Sequence, residues 1–229
     1  MLKLIKLEWK KNHIWKYTRN AAITTVILAA LLLMAAGELE TEETVRAYGG
    51  SMLGTSVGLF VHMAYIVFTG VMIAAYIVGA YRKGTINLMF SYPIKRAKII
   101  LAKVCAVWIF NFAAMVISKA VIYTVLIATK SLTGISATSL LVGEPLFWLD
   151  AILSSAAMVS ISFIALPIGL IMKSSKAAIV ASVIIVCFTQ GGIGSVTLAN
   201  NMTFNAVLFA AAVVSVWLSV RRVEMRDVM

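Results

Sequence analysis

A stretch of 44 residues without a charged side chain, Ala177–Val220, constrains the fold of this chain more than any other feature. A single helix of that length would extend about 66 Å, roughly twice the thickness of the hydrocarbon core of a bilayer. The stretch must therefore fold back on itself. Glycine and asparagine residues near its middle are turn signals: Gly191, Gly192, Gly194, Asn200 and Asn201. We predict two membrane spans, near residues 177–189 and 203–220, with a candidate re-entrant outer segment over residues 190–202.

Four more long apolar stretches precede this one. They are Asn20–Gly37, Ala47–Tyr81 with its spanning part near Val57–Ala80, Val104–Thr129 interrupted by Lys119, and Ala151–Met172. The chain is 62% hydrophobic and 13% charged, whereas soluble domains have about 45–50% apolar and about 25% charged residues. Backbone groups in lipid must pair within the protein, and unbroken apolar stretches lack the alternation of barrel strands. The sequence therefore predicts an all-α integral membrane protein with six transmembrane helices.

The basic residues indicate which side of the membrane each loop faces. Of the 20 Lys and Arg residues, 17 lie in the N-terminal segment, in the loops after the second and fourth spans, and in the C-terminal tail. The loop after the first span carries four glutamates instead: Glu38, Glu40, Glu42 and Glu43. Because Lys and Arg accumulate in cytoplasmic loops, both termini are predicted to be cytoplasmic. We interpret the net charge of +11 as an orientation signal and expect no nucleic-acid partner.

The sequence lacks the motifs that would indicate catalysis. A phosphate-binding loop needs the pattern GxxxxGK[ST], but Thr85 follows Gly84 where the lysine should stand. The two histidines, His13 and His62, lie far apart and form no zinc-binding pair. No motif supports a serine protease that would use His62. We therefore expect no enzymatic activity, and no cofactor or metal bound directly by this chain.

The N-terminal segment, residues 1–19, is basic and amphipathic. At 100° per residue, three lysines fall on one stripe of a helix and apolar side chains flank it. The lysines are Lys3, Lys6 and Lys10, and the neighbouring apolar residues are Leu2, Ile5 and Trp9. A narrow basic stripe on an apolar surface predicts an interfacial helix that lies in the inner headgroup layer. The alternative is that the segment serves only as a positive orientation signal.

The loop over residues 81–103 is longer and more apolar than a plain connector. It holds a short apolar stretch between clusters of basic residues: Ile86, Leu88, Met89 and Phe90. Thr85 can cap the start of a helix, and Pro93 stops it. The pattern predicts a helix of about one to two turns whose apolar residues form a docking surface on the cytoplasmic side. The alternative is that these residues dip into the lipid interface.

This loop, the interfacial helix and the six spans together resemble an ABC-2 type transporter permease. The family pattern RKGT…LLxxPIxRxxIxxxK is matched by a set of nine residues: Arg82, Lys83, Gly84, Thr85, Pro93, Ile94, Arg96, Ile99 and Lys103. Many members carry an acidic residue before the pattern, where this chain has Ala80. The resemblance covers the whole chain in architecture and the loop alone in motif.

The resemblance implies a single permease domain over residues 1–229, without ATPase activity of its own. Two cytoplasmic ATP-binding subunits would bind ATP and Mg²⁺, and a second permease, identical or related, would pair with this one in the bacterial cell membrane. The short helix would be the coupling helix, and its docking residues would be Gly84, Thr85, Ile86, Asn87, Leu88, Met89, Phe90, Pro93 and Arg96. The N-terminal helix would be the interfacial elbow.

The small size of the chain resembles the bacterial members that export peptides, among them bacitracin, lantibiotics and modulin-type amphipathic peptides. It implies a multi-pass exporter of amphipathic peptides or antibiotics. Two other classes remain as alternatives: a small secondary transporter, and a non-transporting membrane protein for immunity or assembly.

Polar residues within the spans are the candidates for a translocation path. Lys119 and His62 are of this kind, because a charged or titratable residue within a span is costly. The alternatives for Lys119 are pairing with Asp150 and snorkelling outward beside Tyr123; for His62 it is contact with a neighbouring helix. Pro167 is expected to kink the fourth span and to expose a backbone carbonyl.

Overall fold

The computed structural model describes residues 2–39, 52–82, 96–129, 145–193, 196–197 and 202–225, and nearly all of these are helical. The helices are α1 Leu2–Lys11, α2 Ile14–Leu39, α3 Met52–Ile73, α4 Gly79–Arg82, α5 Arg96–Ala128, α6 Pro145–Ser162, α7 Ala165–Ile171, α8 Ser175–Gln190 and α9 Met202–Met225. A π-helical turn, Ala74–Val78, joins α3 to α4. Two short strands, β1 Gly192–Ile193 and β2 Val196–Thr197, pair antiparallel.

Four helical segments are long and apolar enough to cross a membrane. They are Ile14–Ala36, Leu53–Val78, Lys98–Ala128 and Pro145–Ile171. Two shorter apolar helices, Ser175–Gln190 and Ala206–Arg221, occupy the predicted positions of the fifth and sixth spans. The all-α fold class is confirmed. The number of six spans and the cytoplasmic position of the termini stay predictions.

The chain divides into two compact units. The first unit contains Met1–Ile14, Tyr65–Phe112 and Ala157–Met229, and the second contains Trp15–Ala64 and Ala113–Ala156. Helices α3, α5 and α6 contribute residues to both units.

In the first unit, α7 packs against α8, α9 and the π turn. A glycine allows this approach, because a Cβ added at Gly169 would lie 2.8 Å from the Cβ of Ala178 and 2.9 Å from a methyl group of Val78. The buried apolar side chains of this unit include Ile73, Ile77, Ile100, Phe163 and Leu166. Since lipid is as apolar as these side chains, close backbone packing contributes much of the attraction between membrane helices.

The fourth span is broken at its proline, as predicted. Helix α6 ends at Ser162 and α7 begins at Ala165. Pro167 has no N–H for the carbonyl four residues earlier, which belongs to Phe163. That carbonyl accepts hydrogen bonds from the Leu166 N–H at 3.0 Å and from Ser215 Oγ, on α9, at 3.0 Å. The exposed carbonyl therefore ties α9 to the break.

In the second unit, hydrogen bonds between side chains and neighbouring helices accompany the apolar packing. Its buried apolar residues come from α2, α3 and α5: Leu28, Leu32, Ala36, Leu53, Val57, Val61, Met115, Ile122 and Leu126. The hydroxyls of Thr25 and Ser118 share a hydrogen bond that joins α2 to α5. The Tyr123 hydroxyl donates to the Gly54 carbonyl at 3.3 Å, which joins α5 to α3. Such bonds between membrane helices contribute about 0.6 kcal/mol each on average.

The N-terminal helix is shorter than the sequence predicts. Helix α1 ends at Lys11 and α2 begins at Ile14, so residues 14–19 belong to the first long helix and not to the interfacial one. His13 has a φ of 50°, and Asn12 Nδ2 donates to the Glu8 carbonyl at 3.0 Å. A left-handed residue after the last turn ends a helix, and the carbonyl of that turn has a side-chain donor. The apolar periodicity of the sequence continues through Asn12 and His13, so it does not predict where α1 ends.

The predicted re-entrant segment, residues 190–202, is described in part. The Gly191 N–H donates to the Cys187 carbonyl at 3.0 Å at the end of α8. The strands then pair Gly192 with Thr197 and Ile193 with Val196. Residues 194–195 and 198–201 lie outside the described residues, so the re-entrant path stays a prediction.

We predict that Gly70→Ala destabilises the protein and that Gly58→Ala does not. A Cβ at Gly70 would collide with the side chain of Ser182 on α8, whereas a Cβ at Gly58 would meet nothing within 4 Å. Overpacking of this kind costs about 1–3 kcal/mol, and alanine in a helix gains up to about 1 kcal/mol over glycine. Thermal unfolding in detergent micelles measures both changes. Adding Ser182→Gly to Gly70→Ala should restore stability; equal effects of the two glycine substitutions would contradict the packing.

Candidate functional site

The predicted docking surface lies almost entirely outside the described residues. This applies to Gly84, Thr85, Ile86, Asn87, Leu88, Met89, Phe90 and Pro93. Arg96 is the first residue of α5. The structure describes the two helices that flank the loop: α4, which ends at Arg82, and α5. These two helices form the base of the loop.

The base of the loop lies in the first unit together with α1. The side chains of Leu2, Lys3, Lys6 and Lys10 are exposed, whereas Ile5 is buried and Trp9 is half-buried. Trp9 Nε1 donates to the Ala106 carbonyl of α5 at 3.1 Å. Helix α1 therefore attaches to α5 through one face and leaves its lysines outside.

A buried ion pair strengthens this attachment. Lys103 Nζ lies 2.7 Å from Glu8 Oε2, and the two residues are only 1% and 7% exposed. Asn12 Nδ2 also donates to Glu8 Oε2, at 3.3 Å. A buried charge is tolerated when it is paired and hydrogen-bonded, and these contacts meet that requirement for both partners.

The same lysine also reaches the π turn. Lys103 Nζ donates to the Tyr76 carbonyl at 3.2 Å, and Ser175 Oγ, at the start of α8, donates to the Ala74 carbonyl at 3.3 Å. In a π turn the backbone hydrogen bonds run from i to i+5 instead of i+4, and such turns occur frequently at functional sites. One lysine thus connects α1, α5 and the last turns of the second span.

Neither Glu8 nor the π turn was predicted from the sequence. The available signal for Glu8 was its position as the acidic residue of the otherwise basic segment 1–19, with Lys103 closing the family pattern. The π turn has no local sequence signal here, since the residues Ala74–Val78 continue the apolar run without a glycine or proline.

The second unit holds both candidate path residues. Lys119 is 3% exposed and donates to the Ala151 carbonyl at 3.2 Å and to Ser154 Oγ at 3.0 Å, both on α6. No described carboxylate lies within 4.0 Å of its ammonium group, so the predicted ion pair with Asp150 is not formed. Lys119 bonds instead to the carbonyl of Ala151, the residue after Asp150, and the Asp150 carboxylate stays within electrostatic range of the ammonium group.

His62 is buried in α3, within electrostatic range of Lys119. Its Nε2 has no hydrogen-bond partner in the described part of the chain. Near Lys119, Tyr123 packs edge-to-face on Phe147 and Trp148, with ring centroids 5.0 Å and 6.3 Å away. The second unit therefore combines a buried cation, a buried imidazole and an aromatic cluster.

The fold and these sites define a helical membrane protein whose described part has four helices long and apolar enough to cross the bilayer, with buried polar groups within them. Residues 4–205 match the family model described as "ABC-2 family transporter protein", and the chain belongs to this family. The predicted resemblance is confirmed. Members of the family are membrane components of transporters and not themselves catalytic.

A curated relative extends the comparison. The chain is 28% identical over 121 residues to the uncharacterized protein YcbO of Bacillus subtilis (strain 168), a match that covers 53% of this chain and 53% of that protein. The chain thus spans about half the length of the curated relative it matches. No solved structure matches the chain.

We predict that Trp9→Phe loosens α1, whereas Trp15→Phe does not. The first change removes the indole donor to Ala106, a bond of about 1 kcal/mol; Trp15 is 78% exposed and serves as the matched control. Limited trypsin digestion in detergent, at the lysines of α1, measures the population of the opened helix. We expect cleavage to become about fivefold faster for Trp9→Phe only. Equal rates for the two variants would contradict the docking of α1 by this bond.

Proposed function

We propose that this chain is the membrane-spanning permease subunit of an ATP-binding cassette exporter. Membership of the ABC-2 family over residues 4–205 is the observation that carries the proposal. The long apolar helices supply the membrane part, and the chain presents no phosphate-binding motif of its own. ATP and Mg²⁺ would therefore bind to separate cytoplasmic subunits, two per complex, and a second permease, identical or related, would complete it.

The loop over residues 81–103 is the proposed coupling element in the bacterial cell membrane. Its apolar residues Ile86, Leu88, Met89 and Phe90 would fill a groove on the ATP-binding subunit, and basic residues would surround the contact. The interfacial helix would lie on the inner leaflet beside it. The contacts of α1 with α5 support this arrangement, because they attach α1 to the helix that leaves the loop.

The proposed substrates are amphipathic peptides or antibiotics, and Lys119 and His62 are the proposed path residues. The hydrogen-bond partners of Lys119 are a carbonyl and a hydroxyl, neither of which neutralises its charge. A buried cation of this kind attracts an anionic group such as a peptide carboxylate. A secondary transporter would be favoured by acidic residues paired within the spans; the described part of Lys98–Ala128 carries lysines and no carboxylate.

We predict that the tagged chain, purified from its native membrane in mild detergent, brings with it a soluble ATP-binding subunit. Phe90→Asp should abolish this capture, because a carboxylate would be buried in an apolar groove. Leu141→Asp, on the predicted outer loop, is the matched control and should capture normally. Mass spectrometry and ATP hydrolysis by the eluate provide the readout. Purification of a stable chain without any ATP-binding subunit would overturn the proposed function.

We predict that Lys119→Met lowers peptide export while the amount of protein in the membrane stays constant. Growth inhibition by bacitracin, a lantibiotic and a modulin-type peptide measures the effect, and resistance should fall to that of cells lacking the chain. Lys176→Met removes an exposed lysine and is the control. Unchanged resistance in Lys119→Met would assign this lysine to helix packing. Resistance that persists with an ATP-binding subunit unable to hydrolyse ATP would instead favour the non-transporting immunity protein.

A further inference from the structure

The ion pair between Glu8 and Lys103 is an unusual way to attach one apolar helix to another. Both groups are withdrawn from water, and the loss of hydration on burial is only offset when geometry and hydrogen bonds are good. Apolar residues of similar volume often give equal or greater stability at such positions. Stability alone therefore does not account for a charged pair here. A role that needs a hydrogen-bond donor able to bind two different elements is a better explanation.

Lys103 meets this requirement because its two hydrogen-bond partners lie on different elements. Its ammonium group donates to Glu8 on α1 at 2.7 Å and to the Tyr76 carbonyl in the π turn at 3.2 Å. An apolar side chain at position 103 could pack against α1, but it could not hold the carbonyl. We call Glu8, Lys103 and the π turn Ala74–Val78 the latch.

The latch connects the two ends of the coupling loop, residues 81–103. The π turn is followed by α4, which ends at Arg82 where the loop begins, and Lys103 lies two turns into α5, which begins at Arg96. A π turn contains one residue more than the α-helix it replaces, so its conversion to α-helix would turn everything after it by about 100°. Shifts of helix register occur on the microsecond-to-millisecond timescale, which suits a transport cycle.

We propose that Lys103 is a positioning residue that makes α1 and both ends of the coupling loop move as one body when the ATP-binding subunit displaces the loop. The inference rests on the proposed function, since it needs that subunit. In this arrangement the carboxylate of Glu8 fixes the ammonium group of Lys103, and Lys103 fixes the π turn relative to α5. The lysine touches neither nucleotide nor substrate.

The double variant Glu8→Met/Lys103→Met separates this role from plain packing. Two methionines fill similar volume and keep α1 attached, together with the Trp9 bond, but they leave the Tyr76 carbonyl without the ammonium donor. Lys103→Arg keeps a donor for both partners and is the conservative rescue. Lys98→Met, at an exposed lysine of the same helix, is the matched control.

The measurement is the distance between spin labels at Lys6 on α1 and Leu101 on α5, both exposed, with Cys105 and Cys187 replaced by alanine. It is made on the complex with its ATP-binding subunit, without nucleotide and after trapping with ATP and vanadate. We expect a single unchanged distance in the wild type, Lys98→Met and Lys103→Arg. In the double variant, trapping should add a second population of distances. The ratio of the two populations should change by about 5- to 150-fold on trapping, as for other coupled sites.

Deletion of Ala75, an exposed residue of the π turn, tests the same inference by a second route. It converts the turn to α-helix and moves the Tyr76 carbonyl away from Lys103 while Glu8 and Lys103 remain paired, so labels at Lys6 and at Ala80, which follows the turn, should show a second population on trapping. If the double variant does not reach the membrane, the deletion of Ala75 tests the inference by itself. A wild-type complex that traps normally, with single distances in both variants, would overturn the inference and leave the proposed function intact. A wild-type chain that captures no ATP-binding subunit would overturn both.

Discussion

Every backbone carbonyl and N–H within a bilayer needs a partner in the protein, because lipid offers none. A continuous α-helix meets this requirement by itself, and each interruption of the helix creates a group that another element must satisfy. In this protein two interruptions are also places where helices are joined. At Pro167 the freed carbonyl of Phe163 accepts from Ser215 of α9. In the π turn, the Ala74 carbonyl accepts from Ser175.

The π turn has a second such contact, with a charged donor. The Tyr76 carbonyl accepts from Lys103, whose ammonium group is itself held by Glu8. A serine donor fixes one helix to another, whereas a lysine can serve two acceptors at once and is charged. At the breaks of the first unit, hydroxyl groups join two elements and a lysine joins three. The need to satisfy the backbone accounts for Ser215, Ser175 and Lys103, each of which donates to a carbonyl at a break.

The sequence predicts those features that depend on composition over a long window or on the covalent structure of one residue. Charge-free runs predict the apolar helices, since many residues contribute to the signal. Pro167 predicts the break in the fourth span, because a missing N–H has the same effect in any environment. The family pattern around Pro93 and Arg96 predicts membership, which is confirmed, although most of its residues lie outside the described part of the chain.

Features that depend on tertiary contacts could not be predicted in this way. The break between α1 and α2 arises from the backbone of His13 and the side chain of Asn12, and the apolar period passes over both residues. The partner of Lys103 is 95 residues away, so no spacing rule identifies Glu8. For Lys119, depth along the helix suggested contact with the outer carboxylate Asp150, but the ammonium group bonds to the neighbouring Ala151 carbonyl and to Ser154, and Asp150 acts on it only at longer range.

The two buried lysines of α5, Lys103 and Lys119, differ in how far their charge is compensated by neighbouring groups. Lys103 is neutralised by a carboxylate in direct contact, and its remaining capacity goes to a backbone carbonyl, so little of its field acts on anything else. The hydrogen-bond partners of Lys119 are polar but uncharged, and Asp150 acts on it only from beyond contact distance, so Lys119 keeps more of its field in an environment of low dielectric constant. A carboxylate that entered the second unit would be attracted to Lys119, whereas Lys103 would require Glu8 to leave first. Lys103 is therefore suited to holding parts of the protein together, and Lys119 to meeting a further charge in addition to the more distant Asp150.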